Sequence, residues 1–265
     1  MDSYYFDEKS KFDARDPLGI LYKITFRLIQ IKVIKMALIF TFFVHLIMNC
    51  LHFFEILSTF DADLLVKYGP TLFPLVYGLA TIIFDLMFEK KTAIVLEETF
   101  SQMWSLDSTG SKTAKKIKKE SKILIGLVVI DTILATVAIM FYLPIMEWDI
   151  DIYYAIRLFE MKFSPTMSLV FSILYYATIP VLFFSMLCTT FALFYIMSYE
   201  KFQTYAINDL LKNISIDYQK IDDWKMMRDQ SYQNTMYKRL TICIQRHQLL
   251  KRMEVNINQI IFTPI

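Results

Sequence analysis

Four long apolar stretches decide what this chain can fold into. They run over Met36–Leu57, Tyr68–Phe88, Ile123–Ile145 and Thr166–Tyr199. A bilayer core of roughly 30 Å is crossed by about 20 apolar residues in a helix, because only a helix or a closed barrel satisfies its own backbone there. The second stretch carries one charge, Asp85, and the third carries one, Asp131. The fourth carries none before Glu200. It is too long for one perpendicular crossing. A kink at Pro180 and extension into the cytoplasm are expected to take up the excess. The expected fold class is an all-α membrane protein with four transmembrane helices. Composition agrees: 55% of the 265 residues are apolar or aromatic and 20% are charged.

The basic residues orient those helices. Twenty-five of the 28 Lys and Arg lie in residues 1–35, 89–122 and 200–265, and three lie in 58–67 and 146–165. The positive-inside rule then places both termini in the cytoplasm. Residues 1–35 form a cytoplasmic N-terminal segment, 36–199 the transmembrane region and 200–265 a helical cytoplasmic tail. No cleavable leader is read, because the first 19 residues are polar and the first apolar run is too long. Leu18–Lys35 mixes apolar and basic residues, as a helix lying at the inner membrane surface would. Residues 91–121 read as a cytoplasmic helix pair turning near Ser108–Ser111. The sequon Asn213-Ile214-Ser215 falls on the inner side and is expected to stay unmodified.

Few residues suggest chemistry. An ionisable group inside a bilayer is costly and reads first as functional. Asp131 and His45 lie at similar depth and are expected either to face each other or to be satisfied separately. Asp85, one turn from the inner end of its helix, is expected to snorkel to the cytoplasmic interface or meet a loop lysine. Glu55 sits near the outer end of the first helix. Lys112–Lys122 reads as a topology determinant, with anionic lipid as an alternative partner. Cys243 and His247 stand at i, i+4, which suits helix packing better than a metal site. The three cysteines suggest no disulfide framework. No catalytic motif occurs, so no enzyme activity, cofactor, metal or nucleic acid is expected.

The outer halves of the second, third and fourth helices hold aromatic, Met and hydroxyl residues. They are Phe73, Pro74, Tyr77 and Gly78; Thr136, Met140, Phe141 and Tyr142; and Ser172, Tyr175, Tyr176, Thr178 and Ile179. Such a set suits a cavity for a small apolar ligand, and equally suits lipid-facing surface.

The tail adds a resemblance. In Leu240–Ile261, Leu240, Cys243, Ile244, His247, Gln248, Leu249 and Leu250 form a segment of the type L-x-x-C-I-x-x-H-Q-x-L-L. It resembles the long second intracellular loop of insect odorant receptors. The inside N-terminus, the charged loop after the second helix and the overlong fourth helix are similar to that family too. The resemblance implies seven helices, an odorant-gated cation channel in the plasma membrane, and heteromeric assembly with a co-receptor. It implies a small volatile apolar ligand in an outer pocket, for which Phe73, Tyr77, Thr136, Met140, Tyr175, Tyr176 and Ile179 are the candidates. Cys243, His247 and Gln248 would serve subunit assembly. The sequence stops where the fifth helix should begin, so the pore helix is expected to be missing and the chain to be an N-terminal fragment. A gustatory receptor fragment and a four-helix membrane adaptor remain the alternatives.

Overall fold

The computed structural model describes residues 16–59, 62–87, 89–100, 109–143, 153–215, 224 and 228–262. Every regular element among them is helical. In chain order these are α1 (Gly19–Tyr22), running into a π-turn over Lys23–Arg27, then α2 (Lys32–Thr59) and α3 (Ala62–Met87). Next come α4 (Glu89–Phe100), α5 (Ser111–Tyr142) and α6 (Tyr154–Lys162), then α7 (Pro165–Lys212) and α8 (Gln230–Phe262).

Four helices are long and apolar enough to cross a membrane, over Lys32–Ser58, Leu65–Met87, Ser111–Phe141 and Pro165–Lys212. Each overlaps one of the expected spans, but the boundaries differ. α5 begins 12 residues before its expected start at Ile123, so the lysine cluster is its first three turns and not a separate helix. The expected end at Ile145 lies outside the described residues. α7 runs unbroken through Pro180 for 48 residues, about 72 Å at 1.5 Å per residue. Its excess length therefore becomes helix beyond the apolar run. α6, in the connection before α7, was not expected at all.

The described residues divide into two compact units. One comprises Lys23–Lys90 and Gly126–Ala192. Its core includes Leu38, Leu75, Ile82, Tyr153, Ile156, Phe159, Tyr175, Ile179, Leu182 and Cys188. α2 shows how the core is chosen. Leu38, Thr41, His45, Asn49 and His52 are buried at helical spacing, while Phe40, Phe43, Ile47, Phe54 and Leu57 are exposed. The helix thus turns its polar residues inward and its apolar ones outward, the reverse of a water-soluble helix. α3 and α7 approach closely at Gly78: a Cβ there would lie 2.6 Å from Leu182 Cγ. Small residues at such crossings are the usual device for packing helices in lipid. α5 contributes least to burial. Only 6% of its apolar window is buried, against 44% for α7.

The other unit comprises the described residues within 1–22, 91–125 and 193–265. Here the expectation of an interfacial helix over Leu18–Lys35 is corrected. Leu18, Leu21 and Tyr22 are at most 2% exposed here, and Phe26 and Ile29 are equally buried in the first unit, while Ile20, Ile31 and Val33 stay exposed, so much of the segment's apolar side is buried in protein. Within this unit, Asp16 folds the segment's start. Its carboxylate accepts the Leu18 amide at 2.9 Å and the Tyr195 hydroxyl at 2.9 Å. Tyr22 donates to Glu97 at 2.5 Å and packs on the Tyr195 ring at 5.6 Å.

Asp209 of α7 serves the start of α5. It accepts the Gly110 amide at 2.7 Å and the Thr113 hydroxyl at 2.9 Å. A carboxylate at a helix N-terminus satisfies orphan amides and opposes the helix dipole favourably. Two turns on, Glu120 pairs with Lys201 at 2.8 Å, and between them Lys116 sits 3.9 Å over the Tyr205 ring. Asn213, the sequon asparagine, donates to the Asp209 carbonyl at 2.9 Å. On α8 the buried ridge is Arg239, Cys243, Leu250, Met253 and Ile257, and Arg239 donates to the Ile214 carbonyl at 2.5 Å.

Candidate functional site

The buried seam of α2 is the most polar part of the apolar unit. His45 is fully buried and its Nε2 lies 2.9 Å from the Thr178 hydroxyl of α7. Its ring packs on Tyr175, centroids 4.8 Å apart. Two turns on, His52 stacks on Tyr154 of α6 at 4.5 Å and meets Tyr68 of α3 edge-on at 5.4 Å. Tyr153 bridges to Tyr175 and Tyr176 at 5.7 and 5.8 Å. Aromatic rings at these separations and angles attract beyond their area burial. Asn49, between the two histidines on the same face, is 5% exposed.

This arrangement decides between the two alternatives for His45 in favour of separate satisfaction. His45 is not paired with Asp131: its Nε2 is held by Thr178 and its ring by Tyr175, both on α7. Asp131 stays half-buried on α5.

One expectation fails at Asp85. It does not snorkel to the interface but is 3% exposed in a cluster of hydroxyls. Ser185 donates to one of its oxygens at 2.5 Å and Thr189 to the other at 3.0 Å. The Thr81 hydroxyl stands 3.3 Å from Ser185 and gives its own proton to the Gly78 carbonyl at 2.8 Å. The hydroxyls replace the water that a carboxylate loses on burial, which removes any need to reach the interface. Glu55 lies half-buried near the end of α2.

The structure gathers only part of the expected pocket. Tyr175 and Ile179 are 2% and 0% exposed, with Tyr176 beside them at 6.3 Å between rings. Phe73 and Tyr77 are 63% and 52% exposed on the outer face of α3, and Met140 is 52% exposed on α5. Thr136 is exposed as well and returns its proton to the Thr132 carbonyl at 2.8 Å. These four do not join the Tyr175 cluster. Of the expected assembly residues, Cys243 is buried within its own unit, while His247 and Gln248 are exposed.

Sequence reading missed Asn49, His52, Tyr68, Tyr153 and Tyr154 as members of one cluster. A signal was present: His45, Asn49 and His52 recur at i, i+4, i+7 in an otherwise apolar helix. Among the described residues no group of three or more His, Cys, Asp or Glu converges as a metal site. No protein-family model matches the chain, and no curated protein or solved structure does.

Proposed function

We propose that the chain belongs to an odorant receptor subunit and supplies the ligand-binding side of an odorant-gated cation channel that works with a co-receptor in the plasma membrane. Both termini face the cytoplasm in this reading. The observation that carries it is the inside-out packing of the apolar unit, with Thr41, His45, Asn49 and His52 inward and Phe40, Phe43, Phe54 and Leu57 outward. Lipid is the solvent that suits such a surface. The buried aromatic cluster around Tyr175 and Ile179 supplies apolar walls with a few polar groups, the usual make-up of a small-molecule site. A ligand there acts by binding one arrangement of the helices better than another.

The tail supports the assembly half of the reading. On α8, Tyr237, Leu240 and Ile244 are 73%, 44% and 55% exposed and share a side with His247. An exposed apolar stripe flanked by polar residues suits a partner chain. The test is co-purification of the tagged chain with a co-receptor subunit from cell membranes. Recovery is expected for the native chain and at least a tenfold loss for Ile244→Glu. Failure of the native chain to co-purify, with both proteins present in the membrane, would remove the assignment.

A further inference from the structure

Hydrogen accounting at His45 assigns its protons. The Thr178 hydroxyl lies 2.6 Å from the Tyr175 carbonyl and 2.9 Å from His45 Nε2. A carbonyl can only accept, so the single hydroxyl proton goes to Tyr175. His45 Nε2 must then carry a proton and donate it to Thr178 Oγ1. The other nitrogen, Nδ1, is left as a bare acceptor in the neutral ring, and it is buried with no hydrogen-bond partner. One turn along the same face, Asn49 Nδ2 is a buried donor, also with no partner. His52 Nε2 is a third such nitrogen on the stripe. Leaving buried polar atoms unmade is costly, and three on one face of one helix demand an explanation.

One chemical group answers an acceptor and a donor that sit a turn apart: a hydroxyl, which gives one proton and accepts another. The apolar surroundings of the stripe are the Tyr175 ring packed on His45 and the Tyr154 and Tyr68 rings packed on His52. We infer that the α2 stripe is a binding site for a small aliphatic or aromatic alcohol, whose hydroxyl donates to His45 Nδ1 and accepts from Asn49 Nδ2 while its hydrocarbon lies against the tyrosines. This deepens the receptor reading above by naming the ligand class and the helix that reads it. An ordered water offers the same hydroxyl, so the experiment must separate the two sources.

The full chain in lipid nanodiscs is photolabelled with a diazirine-bearing octanol, and adducts are mapped by mass spectrometry. Labelling is expected on α2, α6 or α7 around His45, His52, Tyr154 and Tyr175. 1-Octanol should compete about tenfold more strongly than n-octane, the size expected when hydrogen bonds are left unmade. In Asn49→Leu, which leaves only the bond to His45, that preference should fall several-fold, while the lipid-face variant Phe43→Leu keeps it. Equal competition by octanol and octane would overturn the hydroxyl assignment. No competable labelling on these helices would mean that water alone occupies the stripe, which also overturns it. The wild-type comparison needs no variant to fold. It needs no pore or co-receptor either, so its failure is distinct from failure of co-purification.

Discussion

Adding one methyl at Gly78 should push α3 off α7. A Cβ built on its backbone lies 2.6 Å from Leu182 Cγ and 2.8 and 2.9 Å from the two Leu182 methyls. Carbon atoms pack at about 3.5–4.0 Å, so relief requires a shift of about 1 Å. Leu182 is 1% exposed, and a clash at Cγ is not removed by turning the side-chain tip. Overpacking of this kind costs about 1–3 kcal/mol. Leu182→Ala deletes the three clashing atoms and should cost about 2–5 kcal/mol alone, through the cavity it leaves. In the double variant the new methyl enters that cavity. The combined loss should therefore be smaller than the sum by about 1–3 kcal/mol. The assay is reversible unfolding of the full chain in mixed micelles by dodecyl sulfate titration, followed by far-ultraviolet circular dichroism. Refutation would be a Gly78→Ala variant within about 0.3 kcal/mol of wild type, or a double variant that is additive within about 0.5 kcal/mol.

Other outcomes follow from the same geometry. Ser185→Ala removes the 2.5 Å donor to Asp85 and should destabilise by about 1–3 kcal/mol, with Ser185→Thr restoring part of it in the same titration. Asp209→Ala strips the start of α5 of its acceptor and should cost about 1–2 kcal/mol; faster hydrogen exchange over residues 110–114 would locate the loss. Burial raises the Asp16 carboxyl above its ordinary 3.8, against the Leu18 and Tyr195 hydrogen bonds that lower it. The folded chain thus holds that proton longer than the unfolded one. Its contribution to stability is full below about pH 3.8 and is lost as pH rises through the raised value. Asp16→Asn should remove that part of the pH dependence, and a wild-type profile parallel to the variant's would contradict it. Burial also raises the Cys243 thiol above its ordinary value, so a maleimide at neutral pH should modify Cys243 more slowly than an exposed thiol placed at Gln248.

The spans were legible because they depend on length and composition, which a sequence states outright. Their ends were not. α5 runs back through the lysine cluster because Asp209, far along the chain, caps it at Gly110, and no local pattern announces a cap from another helix. Leu18–Lys35 misled for a related reason: a mixed apolar and basic pattern looks the same whether its apolar side meets lipid or protein. Asp85 misled because snorkelling is argued from depth alone, whereas Ser185 and Thr189 sit 100 and 104 residues away. Among the pocket candidates, Tyr175 and Ile179 lie inward, whereas Phe73, Tyr77 and Met140 lie outward. In lipid an aromatic residue gains as much outside the bundle as inside it, so hydrophobicity carries no sign of direction.

Polar residues carry that sign instead. A buried polar atom in a membrane has no water to fall back on, so its position must be set by a partner. His45 is set by Thr178, Asp85 by Ser185 and Thr189. Both clusters tie α7 to an earlier helix, His45 to α2 and Asp85 to α3, with Leu182 against Gly78 between them in sequence along α7. The apolar contacts hold these helices near one another, and the hydrogen bonds fix which faces meet. A ligand that completes the partner set of His45 and Asn49 would act on the α2 side of this arrangement and leave the Asp85 side unchanged. Under the proposed alcohol site, such a division would give a ligand leverage on one helix crossing without loosening the other, the differential binding that a population shift requires.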